Sequence, residues 1–173
     1  MIAFKDFYAA LFQPGDGLIE FRALPSRHRE FLIPGDMPSV LRFAQSHRHE
    51  NVYFGVAARK DSTSGELKNC SVIRAVFADI DFKDTPEDEA RHVLNAFPLR
   101  SSFLVESGGG FHCYWVLKEP IVLVPPAEDF KALLRRTALA LGADLSSAEP
   151  AHILRVPQSF NHKYDPPREV RLV

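Results

Sequence analysis

The chain has 173 residues, of which 46% are hydrophobic and 25% are charged. This composition is typical of one globular domain with a full core. Lys plus Arg number 21 and Asp plus Glu number 22, so bulk charge neither supports nor excludes a polyanionic partner, which would need a local basic patch. Cys70 and Cys113 lack the spacing of a zinc site or a disulfide framework, and the start of the chain resembles neither a signal peptide nor a membrane segment.

The first half alternates helices and short strands. Apolar spacing predicts a helix, two strands broken by prolines, a helix capped by Asp36 and a third strand. Their predicted bounds are residues 3–12, 18–24, 30–33, 38–49 and 51–59.

The second half predicts a strand, a helix, a hairpin turning at three glycines, a further strand and a helix closed by Gly142. Thr85 is the expected cap of the first of these helices, and the chain after residue 143 is expected to be irregular. The predicted bounds are 71–82 for the strand, 85–97 for the helix, 108–110 for the turn, 120–125 for the next strand and 127–141 for the last helix. Without repeats or linkers, these elements form one α+β unit.

Two acids end the strand over residues 71–82. Side chains alternate along a strand, so Asp79 and Asp81 share one face, about 6.6 Å apart along the chain. The opposite face is almost wholly apolar. In the strand after the glycine turn, His112 and Tyr114 are likewise opposite an apolar face. The pattern predicts a sheet with helices behind it and an open polar surface in front.

Paired carboxylates and a neighbouring histidine suit divalent metal ions and a phosphate chain. Oxygen ligands are preferred by Mg²⁺ and Mn²⁺, and two such ions can serve displacement at phosphorus. The alternative is two solvated acids at a strand end. The glycines likewise allow either a tight turn or close approach of a triphosphate to Ser107 and the backbone amides, with His112 donating to it.

Three segments in this order resemble the archaeo-eukaryotic primase superfamily, in particular its primase-polymerase and plasmid-replication-primase branch. They are FADIDF (77–82), ESGGGFHCYW (106–115) and LRVPQSFNHK (154–163). The upstream segment NVYFGVAAR (51–59) is also similar to the strand that precedes the acids in that family. The resemblance covers residues 15–163. Gln158 and Ser159 depart from it, since the family usually has glycine and threonine there.

The resemblance implies a primase catalytic core. Its fold would be an RNA-recognition-motif-like antiparallel sheet with helices behind it, joined to an N-terminal α/β half, with halves of about 1–70 and 71–173 in a single domain. The activity would be template-directed synthesis of RNA or DNA primers on single-stranded DNA from nucleoside triphosphates, with two Mg²⁺ or Mn²⁺ ions and no zinc. A helicase or accessory domain is a further expected partner; a membrane is not, and cytoplasm is the expected location.

The resemblance also assigns residues. Asp79 and Asp81 would hold metal, with Asp144 as third acid and Glu149 as its alternative. The remaining assigned residues would contact nucleotide or template: Ser107, Gly108, Gly109, His112, Arg155, Asn161 and Lys163.

Other basic residues stay open. Arg59 shares a predicted strand face with Tyr53 and serves either the nucleotide and metal or a structural ion pair. Arg22, Arg27 and Arg29 are candidates for a template backbone on charge alone. The basic residues of the last helix, Lys131, Arg135 and Arg136, form either a solvated face or a template contact.

Two other functions compete with primer synthesis. A non-catalytic RNA-recognition-like module would stack bases on sheet aromatics, whereas the acids and His112 would repel bases or bind metal. A replication-initiator nickase would need a histidine pair and a tyrosine nucleophile. Only Tyr114 shares a face with the acids, and the triplet His47-Arg48-His49 has a charged central residue.

Overall fold

The computed structural model describes residues 4–173, so the first residue of the helix predicted from residue 3 lies outside the described part. The chain forms four helices and ten strands within that range. In chain order they are α1 (Phe4–Leu11), β1 (Ile19–Leu24), β2 (Arg29–Leu32), α2 (Met37–Ser46), β3 (Asn51–Gly55), β4 (Val72–Asp81), α3 (Glu87–Ala96), β5 (Phe103–Glu106), β6 (Gly110–Val122), α4 (Glu128–Leu141), β7 (Ile153–Arg155), β8 (Phe160–Asn161), β9 (Arg168–Glu169) and β10 (Arg171–Leu172).

The first sheet has the antiparallel order β2-β1-β3-β7. One face packs against α1 and α2: Phe21 lies against Tyr8 and against Phe43, with ring centroids 5.9 and 5.8 Å apart. The strand β7 comes from the segment that was predicted to be irregular. The N-terminal half is therefore completed by a strand from the end of the chain, a pairing that no local pattern indicates.

The second sheet has the order β10-β5-β6-β4, and its strands are antiparallel. The elements β4, α3, β5, β6 and α4 follow the β-α-β-β-α order of the predicted unit. Helices α3 and α4 lie behind this sheet, where Phe97 of the turn after α3 packs against Trp115 with centroids 5.4 Å apart. The predicted antiparallel sheet with helices behind it is confirmed.

The front of the second sheet is mostly covered, contrary to the predicted open surface. Phe7 of α1 packs edge-on against Phe54 of the first sheet and against Phe103 and Tyr114 of the second. Helix α1 thus fills the space between the sheets, and Tyr114 is fully buried. Only the end of this face, where Asp79, Asp81 and His112 lie, borders a cleft.

The helix ends test the predicted caps. The Asp36 carboxylate accepts from the Ser39 amide at 3.2 Å, and Gly142 ends α4 with a φ of 61°, as predicted. Thr85 was assigned wrongly, since its hydroxyl donates to the Gly142 carbonyl at 2.7 Å and makes no cap bond to α3. Thr85 therefore ties the start of α3 to the end of α4.

Two strand bounds and one core position also differ from prediction. The third strand ends at Gly55, and β6 runs continuously to Val122 through the proline that was expected to begin a separate strand. In α4, the apolar spacing of Phe130, Leu133, Leu134 and Leu141 predicts that all four are buried, but Leu133 is 38% exposed. Within residues 4–173, no helix combines the length and apolarity needed to cross a bilayer.

Candidate active site

A cleft of about 310 Å³ opens where the end of β4, the β5–β6 turn, β7 and the chain after β8 meet. It brings together most of the residues predicted from the sequence, although they come from distant parts of the chain. The predicted residues that line it are Asp79, Asp81, Ser107, Gly109, His112, Asp144, Arg155, Asn161 and Lys163.

Asp79 and His112 are directly opposite each other in the ladder between β4 and β6. Directly opposite residues of an antiparallel pair point to the same face, and here Asp79 Oδ1 lies 3.6 Å from His112 Nε2. Burial raises the pKa of Asp79 to about 7, and the charges of Asp144 and Asp81 contribute to the increase. Asp79 thus occupies a partly desolvated position with an excess of negative charge around it.

His112 is the neutral partner in this pair. Burial lowers its pKa to about 3, with smaller contributions from Arg155 and His152. Among residues 4–173, its buried Nδ1 has no hydrogen-bond partner. A neutral imidazole has one N–H donor and one acceptor nitrogen, so His112 can hydrogen-bond a phosphate oxygen but does not provide charge.

Asp81 and Asp144 lie at the cleft but are engaged with their own loops. Asp81 Oδ1 accepts from the Lys83 amide at 2.9 Å. The Asp144 carboxylate accepts from the Ser146 amide at 2.8 Å and from its hydroxyl at 2.6 Å, which lowers the pKa of Asp144. Asp144 is held beside Asp79 by its amide, which donates to the Asp79 carbonyl at 2.8 Å.

These three carboxylates are the oxygen donors that Mg²⁺ and Mn²⁺ prefer. Their mutual repulsion, which appears in the raised pKa of Asp79, is what a bound divalent cation would offset. In the described part of the chain, no three His, Cys, Asp or Glu side chains are already clustered closely enough to hold an ion. By chemistry the donor set suits such an ion, although the three side chains are not gathered around one point.

The glycine turn is held by the closing segment of the chain. Asn161 Nδ2 donates to the Ser107 carbonyl at 2.9 Å, and the Ser107 amide and hydroxyl both donate to the Gly110 carbonyl. A Cβ at Gly109 would lie 2.5 Å from the Tyr164 hydroxyl. Ser107 and Gly109 both border the cleft, so this turn forms part of its wall.

Arg155 and Lys163 bring positive charge to the opposite wall. The Arg155 guanidinium lies 4.9 Å from the centre of the Tyr53 ring and donates to Asn51 Oδ1 at 2.5 Å. Both cations lower the pKa of Asp79, against the larger effect of burial. The cleft therefore has an acidic side and a basic side, an arrangement that suits a metal-bound phosphate chain.

Gln158, where the chain departs from the family pattern, lies in a tight turn. Gln158 has a φ of 66°, in the left-handed region that glycine adopts most readily, and its amide donates to the Val170 carbonyl at 2.7 Å. The Ser159 hydroxyl donates to the Val156 carbonyl at 2.7 Å. The turn that the family's glycine and threonine would occupy is thus formed here by glutamine and serine.

Three predicted residues lie outside the cleft. Gly108 borders a separate groove, and its carbonyl accepts from Arg168. Glu149 is half-exposed and pairs with Lys131 at 3.6 Å, so Asp144 is the acid that lies at the cleft. Arg59 is fully buried and bonds Glu20 Oε2 through Nε and Nη2 at 3.1 and 2.9 Å. Of its two possible roles, the structure shows the ion pair, because the chain bends after Gly55 and the strand alternation does not extend to Arg59.

Sequence reasoning missed three polar cleft residues, Tyr53, His152 and Tyr164. The His152 ring stacks on Phe77 with centroids 6.4 Å apart, and burial lowers its pKa. Tyr164 packs under the Arg168 guanidinium, 3.7 Å from its ring centre. Tyr164 directly follows the closing motif and His152 lies two residues before it, and this proximity was the available signal for them.

No protein-family model and no curated protein sequence matches the chain. Solved structures do. The primase-polymerase domain of cyanophage S-2L, described as an AEP domain, is 18% identical with a TM-score of 0.66, over 91% of this chain and 80% of that one. The catalytic domain of primase RepB′ in complex with initiator DNA is 16% identical with a TM-score of 0.54, over 90% of this chain and 74% of that one. A second structure of primase RepB′ has the same identity and TM-score and is covered over 50% of its length. The chain therefore has the fold of archaeo-eukaryotic primase catalytic domains, as its three sequence motifs predicted.

Proposed function

We propose that the protein is a template-directed nucleotidyltransferase that makes RNA or DNA primers on single-stranded DNA from nucleoside triphosphates. The observation that carries this proposal is the convergence of Asp79, Asp81, Asp144 and His112 with basic side chains in one cleft of a primase-like fold. The complex of primase RepB′ with initiator DNA supports DNA as the partner here.

Asp79, Asp81 and Asp144 would hold two Mg²⁺ or Mn²⁺ ions. When bound, such ions supply Lewis-acid activation of an attacking 3′-hydroxyl and offset the charge that develops on a leaving pyrophosphate. Asp79 has a side chain that is 26% exposed and no loop hydrogen bond comparable to those of Asp81 and Asp144 among the described residues. It is therefore the carboxylate most ready to bind metal.

The protein's own groups would position the triphosphate. The neutral His112 imidazole would hydrogen-bond a phosphate oxygen, and the phosphate chain would lie along the cleft wall that Ser107 and Gly109 form. Arg155 and Lys163, on the other wall, would neutralise charge that the metal ions leave uncompensated. Tight contact of this kind orients the α-phosphorus for in-line attack.

The structure argues against the nickase alternative. Tyr114, the tyrosine that shares the acid face, is fully buried under α1, where it packs against Phe7 with centroids 5.2 Å apart. His47 Nδ1 is hydrogen-bonded to the Phe43 carbonyl at the end of α2, and His47 does not border the cleft. Neither Tyr114 nor His47, the residues that the sequence offered for this alternative, therefore lies at the cleft.

The decisive experiment is primer extension and de novo synthesis on single-stranded DNA with labelled nucleotides and either Mg²⁺ or Mn²⁺. Wild-type protein is expected to make metal-dependent products. The Asp79→Asn variant, which keeps the size of the side chain, is expected to lose at least about 100-fold in rate because it loses a metal ligand. The double variant Asp79→Ala, Asp81→Ala should make no detectable product.

Asp88→Asn is the matched control, since Asp88 is exposed on α3 and outside the cleft. It should retain wild-type activity. If wild-type protein binds the template tightly but makes no product with either metal, the catalytic proposal is wrong for this chain, and a nucleic-acid-binding module without catalysis becomes the better account. Product formation that survives the double variant would show that these acids do not hold the metal.

A further inference from the structure

Four side chains form a row across one face of the first sheet. Arg29 of β2 is directly opposite Arg22 of β1, Arg22 is opposite Tyr53 of β3, and Tyr53 is opposite Arg155 of β7. Directly opposite residues of antiparallel strands point to the same side. With about 4.8 Å between strands, the row spans roughly 14 Å. We call it the arginine–tyrosine row.

One end of this row lies in the catalytic cleft and the other in a separate pocket. Tyr53 and Arg155 line the cleft, whereas Arg22 and Arg29 line a pocket of about 430 Å³. His152 and Ile153 border both spaces. The cleft and the pocket are therefore adjacent, and the arginine–tyrosine row connects them.

The pocket end carries more positive charge than its acids balance. Glu20 is fully buried beneath it and is in contact with three guanidinium groups. Arg59 takes Oε2, so Arg22 and Arg29 share Oε1, at 2.5 and 3.1 Å. One carboxylate thus faces three cations, and Glu66, another acid at the pocket, already pairs with Lys68 at 2.7 Å.

Arg22 and Arg29, the two arginines at the pocket, keep N–H donors for a ligand. Like charges directly opposite each other in a sheet are ordinarily destabilising, so Arg22 and Arg29 form an arrangement that an anion would relieve. Each guanidinium has five N–H donors, of which Arg29 directs Nε to Glu20 and Arg22 directs Nε and Nη2. The side chain of Arg29 is 36% exposed and that of Arg22 is 26% exposed, so both are accessible from solvent.

We propose that the arginine–tyrosine row binds a single strand of nucleic acid where it leaves the cleft, with backbone phosphates on Arg22 and Arg29 and a base on Tyr53. Sequence-tolerant binding of single strands combines cationic side chains along the backbone with aromatic rings on which bases stack, and the row contains both. The inference rests on the proposed function only in identifying this strand as the template. The binding itself is independent of catalysis.

The test is fluorescence anisotropy of a labelled oligothymidylate, measured without nucleotides over a range of salt concentrations. The variants are Arg29→Gln and the double variant Arg22→Gln, Arg29→Gln, in both of which Glu20 keeps Arg59. Each lost phosphate contact should reduce the slope of log K against log salt by about 0.7, so the double variant should lose about 1.4. Its affinity at low salt should fall about 10-fold or more.

Arg42→Gln is the control for charge, because Arg42 is 62% exposed on α2, across the sheet from the row. It should bind the oligonucleotide as wild type does. The affinity for dATP with Mn²⁺ separates the two sources of phosphate: it should be unchanged in the row variants. Equal oligonucleotide affinity and salt slope in Arg29→Gln, the double variant and Arg42→Gln would overturn the inference, and so would loss of dATP affinity alone.

The two proposals fail separately. If the wild-type protein synthesises no product but the row variants lose oligonucleotide binding as described, the proposal of primer synthesis is wrong and the proposal of a strand-binding row stands. If synthesis depends on Asp79 but the oligonucleotide affinity and salt slope are unchanged in the row variants, the row proposal is wrong. Thermal unfolding of Arg29→Gln, a change on an edge strand, shows whether reduced binding reflects the site or a loss of fold.

Discussion

Two carboxylates, the fully buried Glu20 in the first sheet and the partly buried Asp79 in the second, have opposite surroundings. Glu20 is in contact with three guanidinium groups, and its partner Arg59 is fully buried with it. Asp79 faces two further acids and a neutral histidine, and its pKa is raised to about 7. Removing one partner of a compensated buried cluster leaves an unpaired charge and destabilises the fold, whereas uncompensated charge of the second kind is itself destabilising and marks a place for a ligand.

The largest expected effect on folding comes from neutralising Glu20. Glu20→Gln leaves Arg59 buried without a counter-charge, and such a change is expected to lower the free energy of unfolding by about 3–5 kcal/mol. Urea denaturation measures it. Glu87→Gln, which removes an exposed pair with Arg91, should change stability by less than about 1 kcal/mol. Equal effects of the two substitutions would show that the Glu20 cluster is not structural.

Neutralising Asp79 should raise the free energy of unfolding, whereas neutralising Glu20 lowers it. The folded-state pKa of about 7 lies above the ordinary value of 3.8, so the folded protein binds more protons between these values and loses stability as pH rises from about 4 to about 7. Above that range the full penalty applies. Asp79→Asn removes it and should be more stable than wild type by on the order of 2 kcal/mol at pH 8.

This comparison is made by urea denaturation at several pH values in buffer with a metal chelator. The difference between wild type and Asp79→Asn should shrink as pH falls toward 4. A difference that stays constant across the range would mean that Asp79 titrates normally in the folded protein.

Adding metal should offset the destabilisation that the charged Asp79 carboxylate causes. Mn²⁺ at about ten times its dissociation constant is expected to raise the free energy of unfolding of the wild type by about 1.4 kcal/mol. Asp79→Asn should lose most of this gain, and Asp88→Asn on α3 should keep it. Thermal unfolding with and without Mn²⁺ provides the measurement. An equal gain in Asp79→Asn would place the ion elsewhere.

The smallest expected effect on stability belongs to Arg29. Arg29→Gln leaves Glu20 with Arg59 and Arg22, and the Arg29 side chain is 36% exposed, so the change in free energy of unfolding should stay below about 1 kcal/mol. Urea denaturation measures this change in the free energy of unfolding. A loss as large as that of Glu20→Gln would make Arg29 part of the structural cluster rather than a residue free to bind a phosphate.

Local patterns predicted much of this molecule because they depend on neighbours in the chain. The alternation in β4 and β6 placed Asp79, Asp81 and His112 on one face, and the ladder between the strands confirms that Asp79 and His112 are paired. Asp36 and Gly142 marked helix ends correctly, since a cap involves only a few adjacent residues.

The errors arose where distant segments meet. Thr85 has the sequence of a cap, but its hydroxyl bonds to Gly142, 57 residues along the chain. In the sequence, Arg59 continues the alternating pattern of β3. In the structure the chain bends after Gly55, and Arg59 pairs with Glu20. Each outcome depends on which long-range partner is available, information that a local pattern does not contain.

The sequence by itself determined the identity and order of the acidic, histidine and glycine motifs and the faces on which they lie, because strand and helix periodicity follow from backbone geometry. Tertiary structure alone decided that β7 joins the first sheet, that α1 covers the front of the second, and that Arg155 meets Tyr53. Those pairings depend on non-local burial and hydrogen bonding, which place the arginine–tyrosine row beside the acids although no stretch of sequence connects them.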